Sequence, residues 1–208
     1  MNPLVLNLKR NLTRVARWKH RAGFGIQSPS AFSLVTDVVY EKHPYYAYDT
    51  LEKLQREKAE TDGLDEGREE VNRLLFRLVN YLQPHTIVEA GIPSASGLYL
   101  QAAHRAASYQ RVGCLEELPP DGSGNIDFLY FNDYRAPEQT AADFRLFLPR
   151  ATTSSVCVLN GIGYTRAMRK LWKELQADAH VRVTFDLYDV GLLFFDPTKA
   201  KQHHIVCF

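Results

Sequence analysis

From residue 71 onward, short apolar runs alternate with amphipathic helical stretches, and few folds accommodate such an alternation. One helical face carries Val71, Leu74, Leu75, Leu78 and Leu82, which precede Pro84. Strands are predicted at residues 86–90, 111–115, 126–131 and 155–159, and helices begin at Ser94 or Ser96, at Pro137 and at Thr165. The alternation predicts an α/β fold with a mostly parallel sheet and helices on its faces.

Three strand-like runs close the chain, at residues 181–187, 191–195 and 203–208, with no helical stretch between them. Strands joined by short connections pair antiparallel, whereas parallel neighbours need a long crossover. We therefore predict an antiparallel C-terminal edge on an otherwise parallel sheet.

A polar, charged stretch at residues 58–67, with two glycines, separates this pattern from the N-terminal part of the chain. The 208 residues are 45% apolar, enough for a substantial core, so wholesale disorder is excluded. We predict an N-terminal helical arm at residues 1–64 and one α/β domain at residues 65–208.

Charge is nearly balanced overall, at +1, which excludes a globally basic nucleic-acid-binding protein. Residues 1–30 nevertheless hold six basic residues and no acid, whereas residues 31–70 hold eleven acids and five bases. Val5, Leu8, Leu12 and Val15 recur at helical spacing within the basic segment. We expect this stripe to pack on the body or on a partner chain, with the charges in solvent near the acidic stretch. A membrane surface or nucleic acid is the alternative.

The three cysteines, Cys114, Cys157 and Cys207, are odd in number, widely separated and placed in apolar runs. This pattern is typical of reduced core thiols. No stretch approaches the apolar length of a membrane span, and no signal peptide is recognised. We expect a cytoplasmic protein.

The first strand ends in a turn of small residues, Glu89-Ala90-Gly91-Ile92-Pro93-Ser94. Gly91 permits a tight turn and close approach of backbone to a ligand beyond the strand's carboxyl end. After the next strand, Glu116 or Glu117 is a candidate acceptor for a ribose diol, and a solvated loop acid is the equal alternative. Together these features indicate an adenosine-type ligand without a phosphate-binding loop.

Residues 87–91 and 126–131 resemble the class I S-adenosylmethionine-dependent methyltransferases. Residues 25–29, 168–172, 183–187, 191–195 and 201–203 resemble a bacterial branch of small-molecule O-methyltransferases. The resemblance implies a Rossmann-like methyltransferase sheet and S-adenosylmethionine as cofactor. It implies cofactor contacts for Glu89, Gly91, Ser94, Glu116 and Asn132, and a substrate pocket containing Asp133, Asn160 and Tyr164.

Two departures set this chain apart from that branch. Metal-dependent relatives carry acids after the third and fourth strands, where this chain has Asn132 and Asn160, with Asp133 displaced by one position. Because hard cations prefer carboxylates, we expect no metal site.

The second departure is a ten-residue interval between Glu116 and Asp127, where the branch places a helix, a strand and another helix. Ten extended residues reach about 33 Å, which suffices for a crossover without a helix. We predict the loss of one edge strand and its flanking helices. This loss weakens cofactor affinity and bares an edge for another chain or the arm to cover.

These observations support two hypotheses. The first is a methyltransferase-like protein of the small-molecule O-methyltransferase type, with impaired catalysis and no assignable catalytic residue. The second is an inactive pseudoenzyme that serves as a binding or assembly module, such as a homodimer. Under both hypotheses, a small molecule is a possible ligand, and we expect neither nucleic acid nor a membrane as a partner.

Overall fold

A computed structural model describes residues 3–119 and 124–208 of the chain. The helices are α1 (Pro3–Ala16), α2 (Pro29–Ser33), α3 (Tyr48–Asp62), α4 (Glu69–Leu82), α5 (Ser96–Ala103), α6 (Pro137–Phe147) and α7 (Arg166–Ala177). The strands are β1 (Thr86–Ala90), β2 (Ser108–Val112), β3 (Phe128–Phe131), β4 (Val156–Asn160), β5 (Val183–Asp186), β6 (Val190–Phe194) and β7 (Gln202–Ile205). A π-helical stretch, Leu34–Val39, continues α2.

The seven strands form one sheet in the order β2-β1-β3-β4-β6-β5-β7. Strands β1 to β4 are mutually parallel, and β6 runs antiparallel to both β4 and β5. The predicted α/β sheet with antiparallel pairing on its C-terminal side is confirmed. The antiparallel strand is the inner β6, because a tight turn joins it to β5, while the outermost β7 is parallel to β5.

Among the described residues, β2 is the outermost strand on the other side of the sheet, which agrees with the predicted loss of a strand beyond it. The chain then crosses one face of β1 to reach β3, with one short 3₁₀ turn, Leu115–Glu117, among its described residues. Residues 120–123 of this crossover lie outside the described residues. Strand β2 begins three residues earlier than predicted, because its register follows β1 from Thr86 opposite Ser108 to Ala90 opposite Val112.

Most other predicted elements are confirmed within a few residues. Pro137 opens α6, and the Thr165 hydroxyl caps α7 by accepting a bond from the Met168 N–H. The prediction that Ser94 or Ser96 caps the helix after β1 is wrong. Helix α5 has no side-chain cap, because both hydroxyls donate to the Glu89 carboxylate instead.

Part of the N-terminal segment belongs to the main hydrophobic core. Leu34, Val35 and Val38 are buried in the same cluster as Leu74 of α4 and Ile87 of β1. Tyr45 and Tyr48 pack edge-on against Phe76 of α4, so these aromatic residues join the segment to the body. Within the described residues, no helix has the length and apolarity that crossing a bilayer requires.

Helix α1 lies on the body in the orientation opposite to the one expected. Arg10 and Arg17 face the body, where they pair with Asp189 and Asp186 at 2.6 and 2.7 Å. The apolar stripe is exposed, so its expected packing on the body is wrong, as is the expected solvation of these two charges. The principal counter-charges come from the C-terminal part of the chain, because the turn between β5 and β6 presents them at this surface.

Candidate functional site

The sheet reverses its strand order between β1 and β3, since β2 lies on one side of β1 and β3 on the other. Open α/β sheets bind ligands beyond the carboxyl ends of the strands at such a point. Here β1 runs into Gly91, whose φ of +126° is one that L side chains rarely adopt. The Gly91 N–H donates to the Val112 carbonyl and the Asn132 N–H to the Ala90 carbonyl, so the ends of β2 and β3 hold the turn.

The carboxylate of Glu89 lies under this turn with none of its surface exposed. Its Oε1 accepts bonds from the Ser94 hydroxyl, the Ser96 hydroxyl and the Asn132 amide, at 2.8, 2.5 and 2.7 Å. Its Oε2 accepts a bond from the Tyr109 hydroxyl at 2.6 Å. Burial and the Glu89 charge raise the pKa of Tyr109, so this phenol keeps its proton and donates.

The side chain of Asn132 ties the turn together. Its Nδ2 also donates to the Ile92 carbonyl, and its Oδ1 accepts from the Ile92 N–H at 2.9 Å. A Cβ on residue 91 would overlap this oxygen, so the position of the Asn132 side chain requires glycine there. The structure thus brings together four of the predicted cofactor residues, Glu89, Gly91, Ser94 and Asn132, and their polar groups bond chiefly to one another.

Two cavities flank the turn, and Ile92 and Asp133 line both. The smaller, about 160 Å³, lies between Gly91, Gly113 and Asp143. The larger, about 410 Å³, reaches from Ser94 and Asn132 to Tyr164 and the inner face of α1. Predicted pocket residues Asp133, Asn160 and Tyr164 all line the larger cavity.

Neither of the predicted diol acceptors, Glu116 and Glu117, lines the smaller cavity. Glu116 is exposed, and Glu117 accepts a bond from the Gly113 N–H at 2.9 Å. Besides Asp133, the acid that lines this cavity is Asp143 of α6, which no sequence pattern predicts. Burial raises the pKa of Asp143, although it accepts a bond from the Leu115 N–H at 3.0 Å.

Ion pairs shape one end of the larger cavity. Asp189 is buried and pairs with both Arg10 and Arg68, and Arg10 also donates to the Tyr164 hydroxyl at 2.6 Å. Burial and the Asp189 charge raise the pKa of Tyr164, which therefore stays protonated at neutral pH. No sequence pattern predicts this cluster, because its members lie up to 179 residues apart. The only local feature of the sequence near Asp189 is the short connection between two strand-like runs, at residues 188–190.

Two further polar side chains of the larger cavity, Asp133 and Asn160, have protein partners. Asp133 accepts a bond from the Arg135 guanidinium at 2.8 Å, and Asn160 donates to the Asn132 carbonyl at 3.0 Å. Within residues 3–119 and 124–208, no group of three or more His, Cys, Asp or Glu side chains is arranged to hold a metal ion.

Comparisons with known proteins identify the fold. Neither a protein-family model nor a curated protein matches the sequence. Among solved structures, the S-adenosylhomocysteine-bound methyltransferase PaMTH1 of Podospora anserina matches with a TM-score of 0.56 at 11% identity, over 82% of this chain and 97% of that chain. The O-methyltransferase TomG of Streptomyces achromogenes, in complex with S-adenosylmethionine, matches with a TM-score of 0.52 at 16% identity, over 74% and 91%. An O-methyltransferase of Bacillus cereus with S-adenosylhomocysteine matches with a TM-score of 0.52 at 11% identity, over 79% and 97%. The chain therefore has the class I methyltransferase fold.

Proposed function

We propose that the protein binds S-adenosylmethionine at the switch point between β1 and β3, and that it is a methyltransferase-type protein for a small-molecule acceptor with impaired catalysis. One observation carries the proposal: two cavities meet at Ile92 and Asp133, where an open α/β sheet binds its ligand. Solved structures of the same fold hold S-adenosylmethionine or its demethylated product.

Of the two cavities beside the turn, only the larger has the volume expected of a site for a molecule of this size. The larger cavity lies within the roughly 300–1,000 Å³ range of small-molecule sites, whereas the smaller one lies below it. Gly91, Ile92 and Asp133 would contact the cofactor, with Asp143 on the far wall of the smaller cavity, whereas Glu116 lines neither cavity. Glu89, Ser94 and Asn132 would act indirectly by holding the turn in shape. We therefore expect weak binding.

Bound cofactor would supply an electrophilic methyl group, and transfer to a hydroxyl needs an in-line acceptor whose proton can leave. The described groups that could take this proton are already engaged. Tyr164 stays protonated, Asp133 is paired with Arg135, and Asp65 accepts a bond from the Gly67 N–H at 2.8 Å. This engagement is the physical basis for the proposed impairment.

A non-catalytic binding or assembly module is the second candidate function. The bonding of Glu89, Ser94 and Asn132 among themselves favours it, because these groups stabilise the turn without any ligand. We place either activity in the cytoplasm, with neither nucleic acid nor membrane as partner. Three unpaired cysteines and the near-neutral net charge support that placement.

Titration calorimetry with S-adenosylmethionine and S-adenosylhomocysteine tests the proposal. We expect dissociation constants between about 10 µM and 1 mM. Ile92→Trp should weaken binding at least about tenfold, because the indole would enter both cavities. Leu146→Trp, at an exposed position of α6, is the matched control and should bind as the wild type does.

Absence of heat at millimolar cofactor, from protein with a cooperative unfolding transition, would overturn the proposal in favour of the second candidate. A repeat with magnesium addresses metal-assisted binding. Enhancement by the metal would contradict the expectation that none is used.

A further inference from the structure

The outward face of α1 is a continuous apolar strip. Val5, Leu8, Leu12 and Val15 form this strip, here called the α1 seam, and the last three are 61%, 62% and 76% exposed. Trp18 continues the strip beyond the helix and is 66% exposed. Contiguous exposed apolar surface of this kind, in contrast to single exposed side chains, marks an interaction site.

The body itself forces the seam outward. Residues 5, 8, 12 and 15 follow the alternating three- and four-residue spacing of the a and d positions of a heptad. Arg10 and Arg17 then occupy f positions, diametrically opposite the seam, and both are bound to acids of the body. The same ion pairs that dock α1 thus turn its apolar side to the exterior.

We propose that the α1 seam pairs with the α1 seam of a second copy, antiparallel, about a two-fold axis near residue 10. The spacing is self-complementary under this operation. Val5 lies opposite Val15 of the second copy, and Leu8 lies opposite Leu12 of the second copy. A two-fold interface requires one patch to match itself in this way. Four apolar layers result, and Trp18 extends them at each end.

The buried area is sufficient for a dimer of moderate affinity. The four seam side chains and Trp18 of each copy, at roughly 100 Å² each, together remove on the order of 1,000 Å² from water. That is the lower limit for a stable interface, so we expect a dissociation constant in the micromolar range.

The placement of charge favours a protein partner over a lipid surface. A helix that lies in a membrane interface directs its cations toward the headgroups around its apolar face. In the segment from Lys9 to Arg17, Arg10 and Arg17 pair with acids, and Arg14 donates to the Phe208 carbonyl at 3.0 Å. Three of its four cations are therefore directed at the body rather than outward.

Dimerisation would also act on the proposed ligand site. Leu6 and Arg10 project from the inner face of α1 and line the larger cavity. A second copy clamped on the outer face would hold this wall in place. The inference does not depend on cofactor binding, because the seam and its anchors exist without it.

Sedimentation equilibrium of the full chain tests the dimer. We expect wild-type protein to dimerise with increasing concentration, and Leu8→Glu/Leu12→Glu to remain monomeric at about 100 µM. Both positions are exposed, so the variant should fold with an unchanged circular dichroism spectrum. Leu146→Glu, at an exposed leucine of α6, is the matched control and should dimerise normally. A monomeric wild type, or a dimeric double variant, would overturn the proposal.

Cysteine cross-linking tests the antiparallel arrangement. In a Cys114→Ser/Cys207→Ser background, a mixture of Val5→Cys and Val15→Cys chains should form a disulfide between the two variants. Val5→Cys alone should not cross-link, since antiparallel helices place its two copies about 15 Å apart. Efficient cross-linking of Val5→Cys to itself would contradict this geometry. Flotation of a monomeric wild type with phosphatidylserine vesicles would assign the seam to membranes instead.

Discussion

A carboxylate without exposed surface is costly unless hydrogen-bond donors replace its water. Glu89 receives four such donors, and those from Ser94, Ser96 and Asn132 come from chain that follows β1 or β3. The buried carboxylate therefore holds the segments that follow β1 and β3 together. At the scale of single residues, these hydrogen bonds stabilise the conformation of the turn.

Replacement of Asn132 by Ala should destabilise the fold by about 1–3 kcal/mol, because Glu89 loses a donor and the Ile92 N–H and C=O lose their partner. Urea unfolding at neutral pH measures the difference. Asn80→Ala, at an exposed position of α4, is the control and should change stability by less than about 0.5 kcal/mol. Equal stability of both variants would show that the network is not needed for folding.

At the scale of elements, α1 shows how a few buried contacts decide the orientation of an amphipathic helix. Its apolar side is not held by the body, and its docking depends on Arg10, Arg14 and Arg17. Asp189 is nearly inaccessible, so leaving its charge without a partner would be expensive. The ion pairs therefore outweigh the burial of the apolar stripe that the helical pattern alone would favour.

Arg10→Ala should weaken the docking of α1 by about 1.5–3 kcal/mol, because one charged partner of Asp189 and one donor to Tyr164 are lost. Hydrogen exchange of residues 3–16 should accelerate about 10- to 100-fold, while exchange in β1 and β3 stays unchanged. Lys9→Ala, on the same helix, should leave exchange nearly as in the wild type. Unaltered exchange in Arg10→Ala would mean that other contacts dock the helix.

At the scale of the whole molecule, the predicted boundary after residue 64 separates segments that share one core. Leu34 is buried among residues of α4, β1 and β3. Truncation of a buried leucine costs about 2–5 kcal/mol. Leu34→Ala should therefore lower the midpoint of the unfolding transition of the entire sheet. Fluorescence and circular dichroism, recorded on the same samples, monitor this transition.

The comparison variant is Leu146→Ala, whose side chain is exposed and lies outside the α1 seam, so the substitution should cost less than about 0.5 kcal/mol. Two separate transitions, with the sheet unaffected by Leu34→Ala, would establish the N-terminal segment as an independent unit. A single shifted transition is the expected result.

The sequence by itself determined the sheet, the position of the turn after β1 and the missing edge strand. Each depends on local information: the period of apolar residues around β1 and α4, the proline that opens α6, and the length of chain between Glu116 and Asp127. Chain length limits topology directly, because ten residues cannot hold a helix, a strand and a second helix.

Only the tertiary structure decided which groups face a ligand and which face each other. Asn132 meets Glu89 across 43 positions, and Arg10 meets Asp189 across 179, so no spacing rule could pair them. The register of β2 likewise follows β1 rather than its own hydrophobic pattern. Local periodicity predicts that α1 has an apolar face and a basic face. Which of the two packs against the body depends on the acids Asp186 and Asp189, whose positions only the tertiary structure gives.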